Sequence, residues 1–464
     1  MYLHEVELEN FRSFRGKHKL SLQLANGGYA GWTVFTGTVG AGKASLLNAI
    51  ALATTGPDLL REVTRYLPSA GEHDSLQPSS VQCMYVSADE EQTERHSKAY
   101  KDGAHDEEHY RHTMTFRPSQ RTQDGRPAPD QFEQWRVKGG FLLGISSQTR
   151  LEADYVYHNW NVPTVCLAGR SEPRRLWLLS RPWTWWQYRE WRENTRRIDQ
   201  HSTKLQTVTE RASAVLDVVL GKGTPNDESQ VLGLVARSED LVVTRNNTEI
   251  DPWELSASEL YVVTLALNLA FFAVEPDWRP SRNGDDHIRF TRRGTVLIER
   301  PERHLDVVLQ RQLGPALCRL FPNIQFIVTT NSPFLCQAGS PGGLVRLWRD
   351  SESTDDPYRA DQREINDYDS RRFTKLNKHA CRMVATGSLD EVLTSDLFGL
   401  PYSHSDASES LRNELAELQG KLLTGMEITA DERFRLDQLR SELPTDSAFG
   451  VELQFRTALR MRSK

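Results

Sequence analysis

A glycine-rich segment between an apolar strand pattern and a helical pattern constrains this chain most. Residues 37–43 read Gly-Thr-Val-Gly-Ala-Gly-Lys, after the apolar run 32–36 and before the helical run 44–53. Glycines in such a segment let successive backbone N–H groups point at one anion, and the helix N-terminus adds its partial positive charge. The lysine then reaches the β and γ phosphates of a nucleotide, so the segment predicts an α/β protein with a phosphate-binding P-loop. The predicted binding residues are Gly37, Gly40, Ala41, Gly42, Lys43, Ala44 and Ser45.

The metal ligand of an ordinary P-loop is missing. The residue after the P-loop lysine is normally Ser or Thr, whose hydroxyl binds Mg²⁺, but here it is Ala44. Ser45 lies about 100° further round the helix axis and would not point the same way. The phosphate cradle is therefore predicted without its usual hydroxyl.

A second apolar strand, Gly294–Ile298, ends in the charged pair Glu299 and Arg300. Taken alone, it is equally well a buried strand that happens to end in two charges. An amphipathic helix at 309–320 and another buried strand at 324–328 follow it, however. Strand-helix-strand units imply a parallel sheet, which would bring Glu299 to the phosphate end as the candidate Mg²⁺ ligand.

Residues 255–259, Leu-Ser-Ala-Ser-Glu, open a long apolar helix and have two interpretations. Ser256 and Glu259 match a capping box, in which the two side chains satisfy backbone N–H groups at a helix start. They also resemble the Leu-Ser-x-Gly-Glu signature of cassette ATPases, whose serine contacts the γ phosphate held by a second subunit. Their position ahead of the Glu299 strand favours the signature.

Composition excludes several classes of protein. Of the 464 residues, 38% are hydrophobic and 26% charged, and no run approaches the roughly 20 apolar residues that span a bilayer. The N-terminus lacks the pattern of a signal peptide, so the chain is predicted to be cytoplasmic and not membrane-bound. A net charge of -6 gives no whole-chain argument for nucleic-acid binding. The five cysteines stand far apart and are interpreted as structural thiols.

One local segment leaves DNA binding open. From Arg170 to Arg197, eight arginines and three glutamates are interleaved with five tryptophans. Stacking tryptophans and phosphate-pairing arginines are what a nucleic-acid contact would use. Alternatively, the tryptophans pack a helical subdomain and the arginines pair with acids. The net charge favours this second interpretation.

Two further patterns predict local structure. Asn246-Asn247 between two strands predicts a hairpin. Near the C-terminus, one helix carries an apolar stripe, and Thr429 with Glu432 predicts a capping box that opens a second apolar-striped helix. The stripe residues are Leu411, Leu415, Leu418 and Leu422 in the first helix and Phe434, Leu436 and Leu439 in the second.

Together these motifs resemble the RecF/SMC-like, ABC-type ATPases with an AAA-type core. That family includes ATPase subunits of anti-phage systems such as Septu and is related to the OLD-type ATPases. Segments 8–14, 165–170 and 388–393 also resemble its opening strand, its central strand and the helix after its core. The resemblance implies a P-loop NTPase fold with a mixed sheet flanked by helices, and two heads that pair around two ATP molecules.

The resemblance also implies four parts along the chain. Residues 1–170 and 236–345 would form the two halves of the ATPase head, with an insertion or mobile loop at about 87–130. Residues 171–235 would form a helical subdomain, and residues 346–464 a C-terminal helical extension.

Departures from the family pattern fall where its catalytic residues stand. The family's Walker B strand ends in Asp-Glu and its switch residue is histidine, whereas this chain has arginine and asparagine there. Arginine stays protonated in proteins, so Arg300 cannot polarise water as a base, although it is expected to substitute in part for a weakened Mg²⁺ site. Ser258 replaces the signature glycine and is placed to crowd the phosphate. The five departures are Ala44, Ser258, Glu299, Arg300 and Asn331.

The leading hypothesis is an ATP-binding scaffold or regulatory subunit that hydrolyses ATP poorly or not at all, because phosphoryl transfer depends on Mg²⁺ and on positioning. It would form a homodimer or higher oligomer, or a heteromer with an active relative, and would hold or gate a separately encoded effector such as a nuclease. Anti-phage defence is inferred by family analogy. Two alternatives remain: a slow ATPase acting on DNA, with Glu299 in place of the aspartate, or an ATP-dependent DNA clamp.

Overall fold

The part of the chain that the structure describes contains three β-sheets and the helices that cover them. Met1–Phe398 and Gly399–Lys464 are two compact units. Three predicted parts lie outside the described residues. They are the strand at 165–170, the basic segment from Arg170 to Arg197, and residues 171–210 and 221–231 of the helical subdomain. The computed structural model describes residues 2–24, 26–54, 79–86, 109–121, 127–133, 141–145, 211–220, 232–236, 241–246, 248–250, 254–272, 289–339, 342–349, 372–424 and 426–443.

The elements follow one another in this order. The strands are β1 (Tyr2–Phe11), β2 (Phe14–Ser21), β3 (Trp32–Gly37), β4 (Ser79–Val86), β5 (His109–Arg121), β6 (Pro127–Glu133), β7 (Phe141–Ile145), β8 (Leu232–Ala236), β9 (Leu241–Arg245), β10 (Thr248–Ile250), β11 (Gly294–Glu299), β12 (Ile324–Thr329), β13 (Leu344–Leu347) and β14 (Phe373–Lys375). The helices are α1 (Lys43–Thr54), α2 (Ala257–Phe272), α3 (Val307–Leu320), α4 (Pro333–Gln337), α5 (Lys378–Thr386), α6 (Leu389–Thr394), α7 (Asp406–Leu423) and α8 (Ala430–Glu442). Residues 211–219 are also helical. None of the described helices has the length and apolarity needed to cross a membrane.

The central sheet carries the P-loop. Its six strands have the order β14-β13-β3-β12-β11-β7. All pairs from β13 to β7 are parallel, and β14 runs antiparallel beside β13. Helix α3 connects β11 to the adjacent β12, as a strand-helix-strand unit requires. The predicted fold, a mixed sheet flanked by helices, is confirmed.

Both faces of the central sheet are buried, which explains the nearly continuous apolar sequence of its strands. In β11, Val296 and Ile298 join one core cluster and Leu297 joins the other. The first cluster contains apolar residues of α2 and α3, and the second contains those of α1, β1 and β4. Packing on both sides therefore fixes the strand ends that surround the P-loop.

A second sheet is antiparallel and has the order β2-β1-β4-β5-β6. Segment 8–14, which resembles the opening strand of the family, covers the end of β1, the turn and the first residue of β2. Within the predicted insertion at about 87–130, residues 109–121 and 127–130 are strands. Strand β5 pairs with β4 through the backbone, and such pairing does not require the apolar alternation from which strands are predicted. Residues 87–108 and 122–126 of that prediction lie outside the described residues.

A buried glutamine joins the two sheets. Gln325 on β12 is 1% exposed. Its Oε1 accepts a hydrogen bond from Leu3 N at 2.8 Å, and its Nε2 donates one to Leu3 O at 3.1 Å. The same Oε1 accepts from Thr295 Oγ1 at 3.2 Å. The amide thus binds both backbone groups of Leu3, as a neighbouring strand would.

The third sheet is small, with the order β10-β9-β8. The predicted hairpin is confirmed as β9 and β10. Asn246, in its turn, has a φ of 51°, and asparagine adopts this left-handed conformation more readily than most residues.

The described cysteines behave as the predicted structural thiols. Cys83, Cys336 and Cys381 are free and buried, and Cys318 is free and half-buried. Burial raises the pKa of Cys318 to about 11, which keeps the thiol protonated at neutral pH. Cys166 lies outside the described residues.

The unit Gly399–Lys464 contains the predicted pair of C-terminal helices. Helices α7 and α8 pack through Leu415, Leu418, Leu436, Leu439 and Leu443. The capping box at Thr429 and Glu432 is confirmed, with both reciprocal hydrogen bonds present. Ion pairs of 2.8 Å between Arg435 and Glu414 and of 2.7 Å between Lys421 and Glu432 also join the helices.

Two positions of the predicted apolar stripes are wrong. Leu422 is 39% exposed and Phe434 is 75% exposed. The contact between two helices buries a narrow seam on each of them. Apolar side chains beside that seam therefore remain in contact with solvent.

Candidate nucleotide-binding site

The predicted P-loop connects β3 to α1 at the carboxyl edge of the central sheet. Gly37, Gly40 and Gly42 have φ values of 145°, 86° and 100°. A Cβ on Gly37 would lie 2.3 Å from Leu347 O, and a Cβ on Gly42 would lie 2.6 Å from Ser13 Oγ. Conformation and close packing both require glycine at these two positions. Contacts with β13 and with the turn after β1 therefore fix the curled shape of the loop.

Lys43 is the first residue of α1 and turns back over the loop. Its Nζ donates one hydrogen bond to Gly37 O and another, of 3.0 Å, to Thr38 O. Ala41 is buried, Ser45 is half-buried and Ala44 is exposed. A methyl group thus stands at the surface of the helix N-terminus, at the position of the usual metal-binding hydroxyl.

Two arginines that the sequence analysis missed lie against the P-loop. Arg349, just beyond β13, places its Nε 3.2 Å from the position that a Cβ of Gly40 would take. Arg372, just before β14, is 3% exposed. Its Nη2 donates to Ala41 O at 3.0 Å, and its guanidinium lies 4.9 Å from the ring centroid of Phe14. The feature that could have revealed these arginines is the parallel pairing of β13 with β3, because it brings the carboxyl ends of both strands to one edge of the sheet.

Glu299 ends β11 at this same edge, in register with Thr329 at the end of β12. The turn between β1 and β2 reaches the edge from the antiparallel sheet, because a Cβ on Gly42 would meet Phe14 Cζ at 2.9 Å. Arg12, in this turn, is left-handed with a φ of 52°. Burial lowers the pKa of the Arg12 guanidinium, and the negative charge of Glu299 opposes that shift. The predicted metal ligand therefore lies within electrostatic reach of a protein cation.

Arg300 is held by a carboxylate that the sequence analysis did not select. Arg300 has φ 45° and ψ 58°, and its Nε donates to Glu302 Oε1 at 3.3 Å. Glu302 also accepts from Thr330 Oγ1 at 2.8 Å and from Asn331 N at 3.2 Å. One carboxylate thus joins the end of the Glu299 strand to the loop after β12, where the family has its switch histidine.

Asn331 and its neighbour Thr329 leave polar atoms without a partner. Asn331 Oδ1 and Thr329 Oγ1 are both buried, and neither atom has a hydrogen-bond partner among the described residues. Burying an unpaired polar group is costly, and both groups belong to the strand end and loop that border the P-loop. They are polar groups available to a ligand or water at this edge.

The signature segment forms a capping box in the structure. Ser256 Oγ accepts from Glu259 N at 3.2 Å, and Glu259 Oε2 accepts from Ser256 N at 2.7 Å. Glu259 Oε1 also accepts from Arg245 Nη2 at 2.8 Å. Ser256 is exposed. The helix-capping interpretation therefore describes this geometry, and contact with a second subunit's nucleotide stays a prediction.

The hydroxyl of Ser258 is engaged in a hydrogen bond. The Ser258 Oγ donates to His304 O, in the segment that follows Glu302. The ring of His304 stacks on Tyr261 with centroids 5.2 Å apart. The start of α2 is thereby attached to the loop after the Glu299 strand.

Glu259 gives a pH-dependent prediction. Burial raises the pKa of Glu259, but hydrogen bonds from Ser256 and the Arg245 ion pair outweigh burial and leave the pKa below its ordinary value. A carboxylate with a lowered folded-state pKa stabilises the protein above its unfolded pKa, and this contribution disappears as pH falls through the folded value. In urea unfolding, we expect Glu259→Gln to be less stable than the parent at pH 7, with the difference shrinking below about pH 4. A difference independent of pH between 7 and 3 would contradict this account.

The residues at the sheet edge lack one ligand of a conventional Mg²⁺ site. Mg²⁺ in a phosphate site takes one or two protein ligands and completes its near-octahedral shell with phosphate and water oxygens. Glu299 could supply one such ligand, but Ala44 offers no oxygen. A Mg²⁺ ion here would therefore be held more weakly than in an ordinary P-loop.

Comparison with known proteins finds similarity to ATPases. The sequence model of the AAA domain family matches residues 5–133, a span that contains the P-loop and most of the antiparallel sheet.

Among curated proteins, two retron ATPases are similar to part of the chain. The Retron Ec83 probable ATPase of Escherichia coli is 33% identical over 99 residues, which are 21% of this chain and 17% of that protein. The Retron Vc95 probable ATPase of Vibrio cholerae serotype O1 biovar El Tor is 32% identical over 98 residues, 21% of this chain and 18% of that protein. The similarity therefore spans less than a fifth of either relative.

Solved structures of SMC heads are also similar. The SMC head bound to the C-winged helix domain of ScpA has 13% identity and a TM-score of 0.45, covering 75% of this chain and 94% of that one. The SMC head domain from Thermotoga maritima has 13% identity and a TM-score of 0.37, covering 75% and 95%.

Proposed function

We propose that the chain binds ATP at its P-loop and acts as a scaffold or regulatory subunit whose ATP hydrolysis is impaired or absent. One observation carries this proposal. The P-loop is completely formed, whereas the residue at the position of the family's water-polarising acid, Arg300, is a cation bound to Glu302.

The chemistry of hydrolysis explains why this arrangement would not turn over ATP. Attack on the γ phosphate needs a group that orients and polarises water, together with positive charge on the phosphate oxygens. Arg300 has no lone pair to accept a proton, and the amide of Asn331 is not basic. Glu302 accepts hydrogen bonds from three donors, two at Oε1 and one at Oε2, so its carboxylate is engaged in holding the loop. Binding is therefore retained while the chemical step loses its base.

The biological setting follows from the relatives. Two retron ATPases share sequence with this chain, which supports a role in bacterial anti-phage defence. The proposed subunit forms a homodimer or higher oligomer, or pairs with an active relative, and holds or gates a separately encoded effector such as a nuclease. Exposed valines border the nucleotide edge: Val39 is 75% exposed on the P-loop, and Val307 and Val308 are 53% and 62% exposed at the start of α3. An apolar rim of this kind suits contact with another head.

A paired assay tests the proposal. ATP binding and ATP turnover are measured for the natural chain and for a variant carrying Ala44→Ser, Glu299→Asp, Arg300→Glu and Asn331→His. We expect the natural chain to bind without turnover and the restored chain to bind and turn over. Turnover by the natural chain at the rate of intact cassette ATPases, abolished by Lys43→Ala, would reject the proposal.

A second candidate is a slow ATPase acting on DNA. The carboxylate of Glu302 beside Asn331 favours it, because a shift of the Asn331 loop would release an acid at the phosphate edge. Slow turnover that disappears in Glu302→Gln would support this candidate. A DNA clamp would depend on the segment from Arg170 to Arg197, which lies outside the described residues.

A further inference from the structure

A buried arginine is hydrogen-bonded to the backbone of the P-loop. Arg372 directly precedes β14 and is 3% exposed. Its Nη2 donates to Ala41 O at 3.0 Å, and its own carbonyl accepts from Trp348 N at 3.0 Å, just beyond β13. The guanidinium lies 4.9 Å from the ring centroid of Phe14, within the range of a cation–π contact. Contacts of its backbone and of its side chain therefore hold Arg372 against the loop.

The peptide between Ala41 and Gly42 is the part of the loop that this contact orients. A peptide unit is planar, and in its trans form the C=O of one residue and the N–H of the next point in opposite directions. The described residues contain no cis peptide bond. Because Ala41 O points to Arg372, Gly42 N–H points away from it. Gly42 directly precedes α1, and N–H groups at a helix N-terminus are those that receive an anion.

Glycine allows this peptide to take either of two orientations. Gly42 has a φ of 100°, and glycine populates positive φ about as readily as negative φ. A flip of the peptide changes only ψ of Ala41 and φ of Gly42, so its neighbours can stay in place. On one side, Ala41 N donates to Thr38 O at 3.2 Å. On the other side, Gly42 O accepts from Leu46 N at 2.8 Å.

The two orientations present opposite partial charges to a phosphate. The observed one presents an N–H dipole, which attracts an anion, and the flipped one would present a carbonyl oxygen, which repels it. A flip would also break the hydrogen bond from Arg372 to Ala41 O. Because its donor is charged, this bond contributes more than a bond between neutral groups. Arg372 therefore favours the orientation that binds an anion.

We propose that Arg372 is a positioning residue for nucleotide binding, which holds the peptide between Ala41 and Gly42 with its N–H toward the phosphates. The inference rests on the proposed ATP binding and adds a residue that acts through the loop backbone without touching the nucleotide. It makes the phosphate cradle dependent on an arginine 331 residues further along the chain than Ala41.

Arg346 provides a matched control, because it makes the same kinds of contact on the other face of the central sheet. It is 8% exposed, and its Nη1 donates to Asp396 O at 2.6 Å. Its guanidinium lies 3.7 Å from the ring centroid of Trp348. Arg346 alternates along β13 with Val345 and Leu347, which belong to the core cluster that contains α1. Successive side chains of a strand point to opposite faces, so Arg346 points away from that cluster.

The binding test uses titration calorimetry of the full chain with ATP and with pyrophosphate, at a temperature at which every variant is folded by circular dichroism. Arg372→Met is expected to weaken binding of both ligands by about tenfold or more, the usual effect of losing a hydrogen bond to a charged group. Arg372→Lys retains a charged donor and is expected to recover part of the affinity. Arg346→Met is expected to lose stability as Arg372→Met does, but to bind within about twofold of the parent.

Nuclear magnetic resonance of the full chain, isotope-labelled at glycine, gives a second readout that needs no variant at Arg372. The amide proton of Gly42 is expected to shift downfield when pyrophosphate is added, because it becomes a donor to phosphate. An arginine with a merely structural role would not make this amide respond. The measurement also decides the matter if Arg372→Met does not fold.

Three results would each overturn the inference and leave ATP binding intact. They are parent-like affinity in Arg372→Met, equal losses of affinity in Arg372→Met and Arg346→Met, and a Gly42 amide that does not respond to bound pyrophosphate. A loss in Arg372→Lys as large as in Arg372→Met would overturn the hydrogen bond to Ala41 O as the cause. If the parent bound neither ATP nor pyrophosphate, the proposed function would be rejected and the inference with it.

Discussion

Gly37→Ala is expected to destabilise Met1–Phe398 by about 3–5 kcal/mol and to abolish nucleotide binding. The new Cβ would lie 2.3 Å from Leu347 O, a backbone atom of the neighbouring strand β13. It would also be attached to a residue with a φ of 145°, which L side chains rarely adopt. Either β3 and β13 separate or the P-loop unwinds, and both outcomes displace Lys43. Urea unfolding measures the loss of stability, and binding of a fluorescent ATP analogue measures the loss of nucleotide binding.

Gly16→Ala is the matched control for this prediction. Gly16 has a φ of 75°, but a Cβ there would meet nothing within 4 Å. The control therefore contains the conformational penalty without the clash, and we expect a loss of about 1 kcal/mol with nucleotide binding preserved. If the two variants lose the same stability, steric contact with β13 is not what fixes the loop.

Glu302→Ala is expected to cost about 3 kcal/mol and to loosen the loop after β12. Its carboxylate accepts from the Arg300 side chain, the Thr330 hydroxyl and the Asn331 backbone N–H. Removing it takes this acceptor from the buried Thr330 hydroxyl and from the half-buried Arg300 side chain and Asn331 N–H. The cost of leaving a buried donor unpaired exceeds the worth of the average hydrogen bond. Hydrogen exchange of the amides at 330–332 reports the loosening directly.

A surface ion pair provides the control for Glu302. Glu7 binds Lys17 at 2.8 Å, but the Lys17 side chain is 63% exposed, so Glu7→Ala is expected to cost less than about 1 kcal/mol. Hydrogen exchange at 330–332 should not change in that variant. Equal costs for the two substitutions would mean that Glu302 contributes no more than a surface charge.

Local patterns predicted the features that are formed by neighbouring residues. The strand-loop-helix around Lys43, the buried strand before Glu299 and the capping box at Thr429 each depend on a few consecutive side chains. In each case the apolar run with its flanking residues, or the pair of capping residues, is visible within a few consecutive positions. Combining these units predicted the parallel pairing, whereas the mixed sheet was implied by the resemblance to the family.

Features that depend on distant partners were not predicted. Phe141–Ile145 becomes a strand by pairing with Gly294–Ile298, and a short apolar run alone does not reveal its period. Arg349 and Arg372 reach the P-loop only because β13 and β14 are placed beside β3. Glu302 was overlooked since its role appears only when the ends of β11 and β12 lie side by side. Strand order, not local sequence, carries this information.

The contacts of β1 determine how the P-loop responds to forces elsewhere in the molecule. Near its first residues, Gln325 binds both backbone groups of Leu3, and beyond its last residue the Ser13-Phe14 turn rests on Gly42. A strand held at both ends cannot slide by one residue, because the shift would turn its buried side chains to the opposite face. The antiparallel sheet and the nucleotide edge therefore move as one mechanical body, and a load applied to the sheet would reach Arg12 as a displacement of the whole turn.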